Sequence, residues 1–148
     1  MSNEARRVLP ADFDWVTERH ACSPSIIITK LRMQVEKDVE KRKELMTPAE
    51  KERMAFSLID EDRRFVVQVE GRNHLYRGVK FGLTLTGITV HDVASGKVIH
   101  EAALTLSDDG ECRLRVEDKE YDLWQFRKLA LHDIFFGNDV IHGKPGLV

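Results

Sequence analysis

The stretch Leu104-Thr105-Leu106-Ser107-Asp108-Asp109-Gly110-Glu111-Cys112-Arg113-Leu114-Arg115-Val116 decides the fold. On either side of Asp108-Asp109-Gly110, apolar residues alternate with polar ones, the period of a strand with one buried face. The three-residue loop carries Gly third, where a bulged hairpin needs a left-handed residue. That loop length predicts Leu106 opposite Cys112, Leu104 opposite Leu114 and Ala102 opposite Val116. All three pairs fall on one face, so the segment reads as an antiparallel hairpin lying on a core.

Reading upstream from this hairpin, the same grammar recurs. Ala94-Ser95-Gly96 is a second three-residue loop with Gly third, and predicts Ile88 opposite Ala102 and Val90 opposite His100. Thr86-Gly87 reads as a turn that pairs Leu85 with Ile88 and Leu83 with Val90, closing a long strand from Leu75 to Leu85. Gly71-Arg72-Asn73 predicts Val69 opposite Leu75 and Phe65 opposite Val79. It also leaves Arg77 on the apolar face. A tight turn at Glu61-Asp62 places Leu58 opposite Phe65, Phe56 opposite Val67 and Met54 opposite Val69. The sum is six strands between residues 54 and 116, with edges near Met54–Asp60 and Cys112–Val116. The opposite face carries Lys80, Thr84, Thr89, His91, Glu101, Thr105, Arg113 and Arg115, and reads as solvated.

Helices flank the ladder. Pro10 to His20 predicts a short helix with Phe13, Val16 and His20 on one side. Ser23-Pro24 is a cap followed by proline at the first helical position. Ile27, Leu31, Val35 and Val39 then form a stripe that ends near Leu45-Met46. Glu36 and Glu40, and Lys37 and Lys41, are like-charged at i,i+4, so this helix depends on packing its stripe. Thr47-Pro48-Ala49-Glu50 matches a capping box. Downstream, Asp122 caps a helix over residues 122–136. Leu123, Phe126, Ala130 and Ile134 lie on one side of it, and Trp124, Leu131 and Phe135 widen the stripe.

The expected fold is therefore α+β. A six-stranded antiparallel meander, curved or partly barrel-like, is packed on one face by the long N-terminal helix and the aromatic-rich C-terminal helix. The chain divides into helices at 1–46, sheet at 54–116, helix at 122–136 and a flexible tail at 138–148, within a single domain spanning 1–148. This order of elements resembles pleckstrin-homology-like barrels, in which a C-terminal helix carrying a Trp plugs an open barrel, but adds the helical segment 1–46 in front. It also resembles frataxins, without their acidic iron-binding ridge, because the long helix here is balanced in charge.

Charge and composition narrow the function. The 23 Lys+Arg and 25 Asp+Glu nearly cancel, which argues against nucleic acid as partner. The longest pure aliphatic run, Ile26-Ile27-Ile28, argues against a membrane span. The start of the chain shows no secretory leader. Cys22 and Cys112 lie far apart in sequence and permit one disulfide, but nothing points to an oxidising compartment, so free thiols of a cytoplasmic protein are expected.

No cofactor motif and no metal site is expected. His20-x-Cys22 lacks the second pair a zinc site requires. Ser107-Asp-Asp-Gly lacks the remaining oxygens of a calcium loop. His91-Asp92 and His132-Asp133 are sequence neighbours and so diverge on strand or helix. One constellation merits attention. The register puts His100 and Asp92 on the inner face, and Arg77 with them, as ligand-binding candidates. The apolar flank Ile26, Ile28 and Met33 lies off the main helical stripe and is a candidate interface. The sequence does not determine a function. The reading it favours is a small cytoplasmic non-catalytic binding module whose partner is another protein or a second copy of itself. The alternative is a small-molecule binder or acid–base enzyme with a pocket between sheet and C-terminal helix.

Overall fold

Proline and capping chemistry set where the helices begin. A computed structural model describes residues 8–71 and 76–137. Helix α1 spans Trp15–Ala21, and its N-cap Asp14 accepts from the Thr17 N–H at 3.1 Å. Helix α2, Pro24–Glu44, has Pro24 at its first turn and extended Ser23 before it. Its 21 residues make a rod of about 32 Å. Helix α3, Pro48–Arg53, carries the expected capping box: Thr47 Oγ1 accepts from Glu50 N–H at 3.1 Å and Glu50 Oε1 from Thr47 N–H at 3.0 Å. Helix α4, Leu123–Phe136, starts after Asp122, whose N–H donates to Gln125 at 2.9 Å.

Between α3 and α4 lies a seven-stranded antiparallel meander in order β1-β2-β3-β4-β5-β6-β7. The strands are β1 Met54–Glu61, β2 Arg64–Gly71, β3 Tyr76–Leu83, β4 Gly87–Asp92, β5 Val98–Leu106, β6 Cys112–Val116 and β7 Lys119–Tyr121. The sheet is not closed into a barrel: β1 and β7 stand at opposite edges. One face is apolar, and α2 packs over β1–β4 while α4 packs over β2, β3, β6 and β7. Ile27, Leu31, Val35 and Val39 of α2 and Phe126, Ala130, Leu131, Ile134 and Phe135 of α4 meet the sheet residues in one connected core. Aromatic rings interlock there. Phe65 stacks on Phe81 at 4.6 Å, and Phe126 meets Phe81 edge-on at 6.4 Å.

The C-terminal half of the meander has the expected register. Leu104 lies opposite Leu114, Leu106 opposite Cys112, Ile88 opposite Ala102 and Val90 opposite His100. Gly96 and Gly110 take positive φ, 74° and 84°, as the bulged loops require. The N-terminal half is displaced. Leu58 faces Val67, not Phe65, because the turn is Asp62-Arg63, one residue later than expected, with Arg63 at φ 57°. Phe65 faces Phe81, not Val79. Leu83 faces Ile88, and Leu85, expected in a strand, is a turn residue and 99% exposed. Each of these slips is two residues long, so every side chain keeps its face and alternation alone could not detect it. Here the stacked Phe65–Phe81 pair sits directly across two strands. The turn Gly71-Arg72-Asn73 with its Leu75 pairing, and the tail at 138–148, lie outside the described residues.

Two further corrections concern β7 and the cysteines. Glu117, with φ 56°, turns the chain so that Lys119–Tyr121 pairs with β6, Leu114 lying opposite Tyr121. Three residues are too few to show a period, and this strand replaces Cys112–Val116 as the second edge. Cys22 and Cys112 are not free thiols but a disulfide with Cα atoms 5.4 Å apart. Leu106 faces Cys112, and Cys22 is fully buried just before α2, so the bridge pins the start of the helical layer to β6.

Two outcomes test this packing. Phe126→Ala should cost about 3–5 kcal/mol in chemical denaturation, because the ring is fully buried against the sheet. The bridge closes a sequence separation of 90. Replacing both cysteines by serine should therefore lower stability by about 2–5 kcal/mol, and the oxidised wild type should resist alkylation until it is denatured and reduced.

Candidate functional site

Arg77, Asp92 and His100 all stand on or beside the inner face, but each has its own local partners. Arg77 lies opposite Val69, and its guanidinium reaches the C-terminal end of α4. There it pairs with the Asp133 carboxylate and donates to the Gly137 carbonyl at 3.1 Å. A cation at the end of a helix satisfies the last carbonyls and complements the dipole. Asp92 lies opposite Val79, and its carboxylate accepts from the Ser95 N–H at 2.9 Å. Hydrogen bonding from Ser95 holds its carboxyl below the ordinary range, with a smaller contribution from the Arg77 charge. His100 is half-buried opposite Val90, beside a bulge between Val90 and His91. Arg77 and Asp92 therefore sense each other electrostatically, while among the described residues no hydrogen bond joins His100 to either.

The flank of α2 divides. Ile28 is buried in the core, Ile26 is partly exposed, and Met33 is 56% exposed.

A different surface has a more developed geometry. Along the seam between α2 and α4 runs a cleft of about 320 Å³, lined by Leu45, Leu131, Phe135, Phe136 and Trp124 together with Asp38, Lys41, Arg42, Arg127, Lys128 and His132. Trp124, Leu45 and Phe136 are 55%, 67% and 59% exposed. A second hollow of about 400 Å³ continues over the outer side of α4 through Lys119, Tyr121 and Leu129, and shares Trp124, Lys128 and His132 with the first. Trp124, Lys128, His132 and Phe136 recur every fourth residue, so they form one outward stripe about 18 Å long.

Arg42 forms the floor of the seam. It is buried, and its Nε donates to the Phe135 carbonyl at 2.9 Å. A second nitrogen meets Glu50 at 3.4 Å. Its guanidinium also lies 4.9 Å from the Phe56 ring centre and 5.0 Å from that of Phe136. The Thr47 N–H, and to a lesser degree Arg42, hold the Glu50 carboxyl below its ordinary range. Arg127 crosses the seam to Asp38 at 2.7 Å and to Gln34 at 2.9 Å. Arg42 carried a signal in the sequence: it follows Val39 by three positions on the buried stripe.

Among the described residues, no three His, Cys, Asp or Glu side chains cluster as metal ligands, and no helix is long and apolar enough to cross a membrane. No family model, curated protein or solved structure matches the chain.

His100 supplies a pH test. Burial disfavours its charged form and lowers its pKa. The unfolded chain titrates near about 6.5, so just below that pH it binds more protons than the folded chain. Stability present above this value is lost as pH falls toward the lower folded pKa. His100→Gln should therefore show a smaller loss of stability than wild type between about pH 7.5 and about pH 5.5 in denaturant titrations. Equal losses would place the ring in free solvent.

Proposed function

We propose that this chain is a non-catalytic interaction module that holds an acidic, amphipathic helical segment of a partner protein on the α2–α4 surface. The observation that carries the reading is the outward stripe of α4, where exposed Trp124 and Phe136 bracket Lys128 and His132 beside an apolar cleft. Phe136 also packs against the buried Arg42, but no contact with the core accounts for the exposed Trp124. Large exposed apolar patches mark partner surfaces, and Trp is a favoured anchor in them. Lys128 and His132 have no carboxylate partner among the described residues. Asp38, by contrast, is already engaged by Arg127. The free charge on the rim is thus positive and selects an acidic partner. A helix laid in a groove presents anchors at this same spacing.

Arg77, Asp92 and His100 answer to separate neighbours, which supports binding over acid–base chemistry. Self-association through Ile26, Ile28 and Met33 loses support because Ile28 is in the core. The disulfide favours an oxidising compartment over the cytoplasm that the composition suggested.

Selection of random peptides of about 16 residues on the immobilised protein tests the proposal. Binders should combine apolar anchors at helical spacing with an excess of Asp and Glu. Trp124→Ala and Lys128→Glu should abolish their binding without changing the melting temperature. Binders that ignore both substitutions would overturn the reading. So would sedimentation showing that wild type is a dimer that Trp124→Ala converts to a monomer, because a second copy would then occupy the surface.

A further inference from the structure

On the face of the sheet turned away from α2 and α4 there is a dent at Gly82. Phe81 and Leu83 point toward the helices, so position 82 faces away from them, and a glycine there leaves the sheet without a side chain. A Cβ at Gly82 would sit 3.5 Å from Thr89 Oγ1 and 3.9 Å from Arg64 Cγ, so these two side chains wall the gap on either side. One step along β3, Lys80 lies opposite His91. These residues line a cavity of about 370 Å³.

The walls are rich in hydrogen-bond donors. Arg64 is in the β1–β2 ladder opposite Glu61, but its side chain has no hydrogen bond or ion pair with any described residue. Thr89 is buried. His91 lines the same cavity, and its buried Nδ1 has no hydrogen-bond partner among the described residues. Lys80 shares its charge with Glu61 at 3.3 Å. Asp92 reaches the rim, where the Ser95 N–H engages its carboxylate.

We infer that this dent is a binding site for a small molecule bearing one oxyanion group, phosphate or carboxylate. Arg64 supplies the charge, and Thr89 and His91 supply further hydrogen-bonding contacts. The guanidinium fork matches a planar or tetrahedral oxyanion. Glu61 and Asp92 limit the site to a single anionic group. The site faces away from the α2–α4 surface and does not depend on it.

The test is titration of the intact protein with orthophosphate, and separately with acetate, at constant ionic strength, followed by amide and imidazole NMR shifts. Saturable shifts should converge on Gly82, Thr89 and His91 for at least one of the two anions, and the responding anion identifies the group. Losing one charge-assisted contact in Arg64→Gln should weaken binding roughly tenfold or more. His91→Gln should weaken it less. Gly82→Val should abolish binding with no change of charge, while Arg115→Gln, a charge change on the distant strand β6, should leave it unaltered. Should Gly82→Val fail to fold, the Arg64 and His91 variants still decide. Shifts that do not saturate, that spread over the surface lysines and arginines, or that survive Arg64→Gln would overturn the site.

Discussion

Seven strands that do not close into a barrel leave one apolar face that only helices can cover, and the rest of the structure follows from that cover. Two helices are needed because the sheet is wider than one. Helix α2 takes β1–β4, and α4 takes β2, β3, β6 and β7. Where they meet, a seam must be sealed. Arg42 and Arg127 do this, the first with its guanidinium between the Phe56 and Phe136 rings, the second paired with Asp38. A buried cation is costly unless its hydrogen bonds are met, and Arg42 is met by Phe135 and Glu50. The cleft beside this seam is what two round rods leave when laid side by side on a flat layer.

The two faces of the sheet solve opposite problems. Toward the helices, large rings fill space, with Phe65 stacked on Phe81 and Phe126 edge-on to Phe81. Away from them, Gly82 removes volume near the end of β3, and glycine within a strand otherwise weakens a sheet. A position that gives up packing on one face while its neighbours fill the other completely fits close approach by something outside the chain.

Much of this was legible in the sequence because a sheet with one buried face writes its period into the residues. Gly96 and Gly110 fixed loop lengths, and the pairs beyond them came out in register. The turns without such a marker slipped by two, since Leu58 meets an inward partner in either register. Strand β7 was illegible because three residues carry no period. The disulfide was illegible because residues 22 and 112 are brought together only by tertiary packing. Trp124 read as a core residue because it adjoins the apolar stripe of α4. Only the position of the sheet beneath that helix reveals that it faces outward. Arg77 read as an inner-face cation, correctly placed. Its partner was hidden because the end of α4 is remote in sequence.

The bridge between Cys22 and Cys112 also makes residues 22–112 a covalent ring. Tension applied at the two ends of the chain would pass from one cysteine to the other without entering the ring. Strands β1–β5 and helices α2 and α3 lie inside the ring, while α1, β6 beyond Cys112, β7 and α4 lie in series with the load. Helix α4 carries the exposed Trp124 and Phe136. Pulling would therefore detach α4, with its exposed Trp124 and Phe136, before it opened the strands held inside the ring.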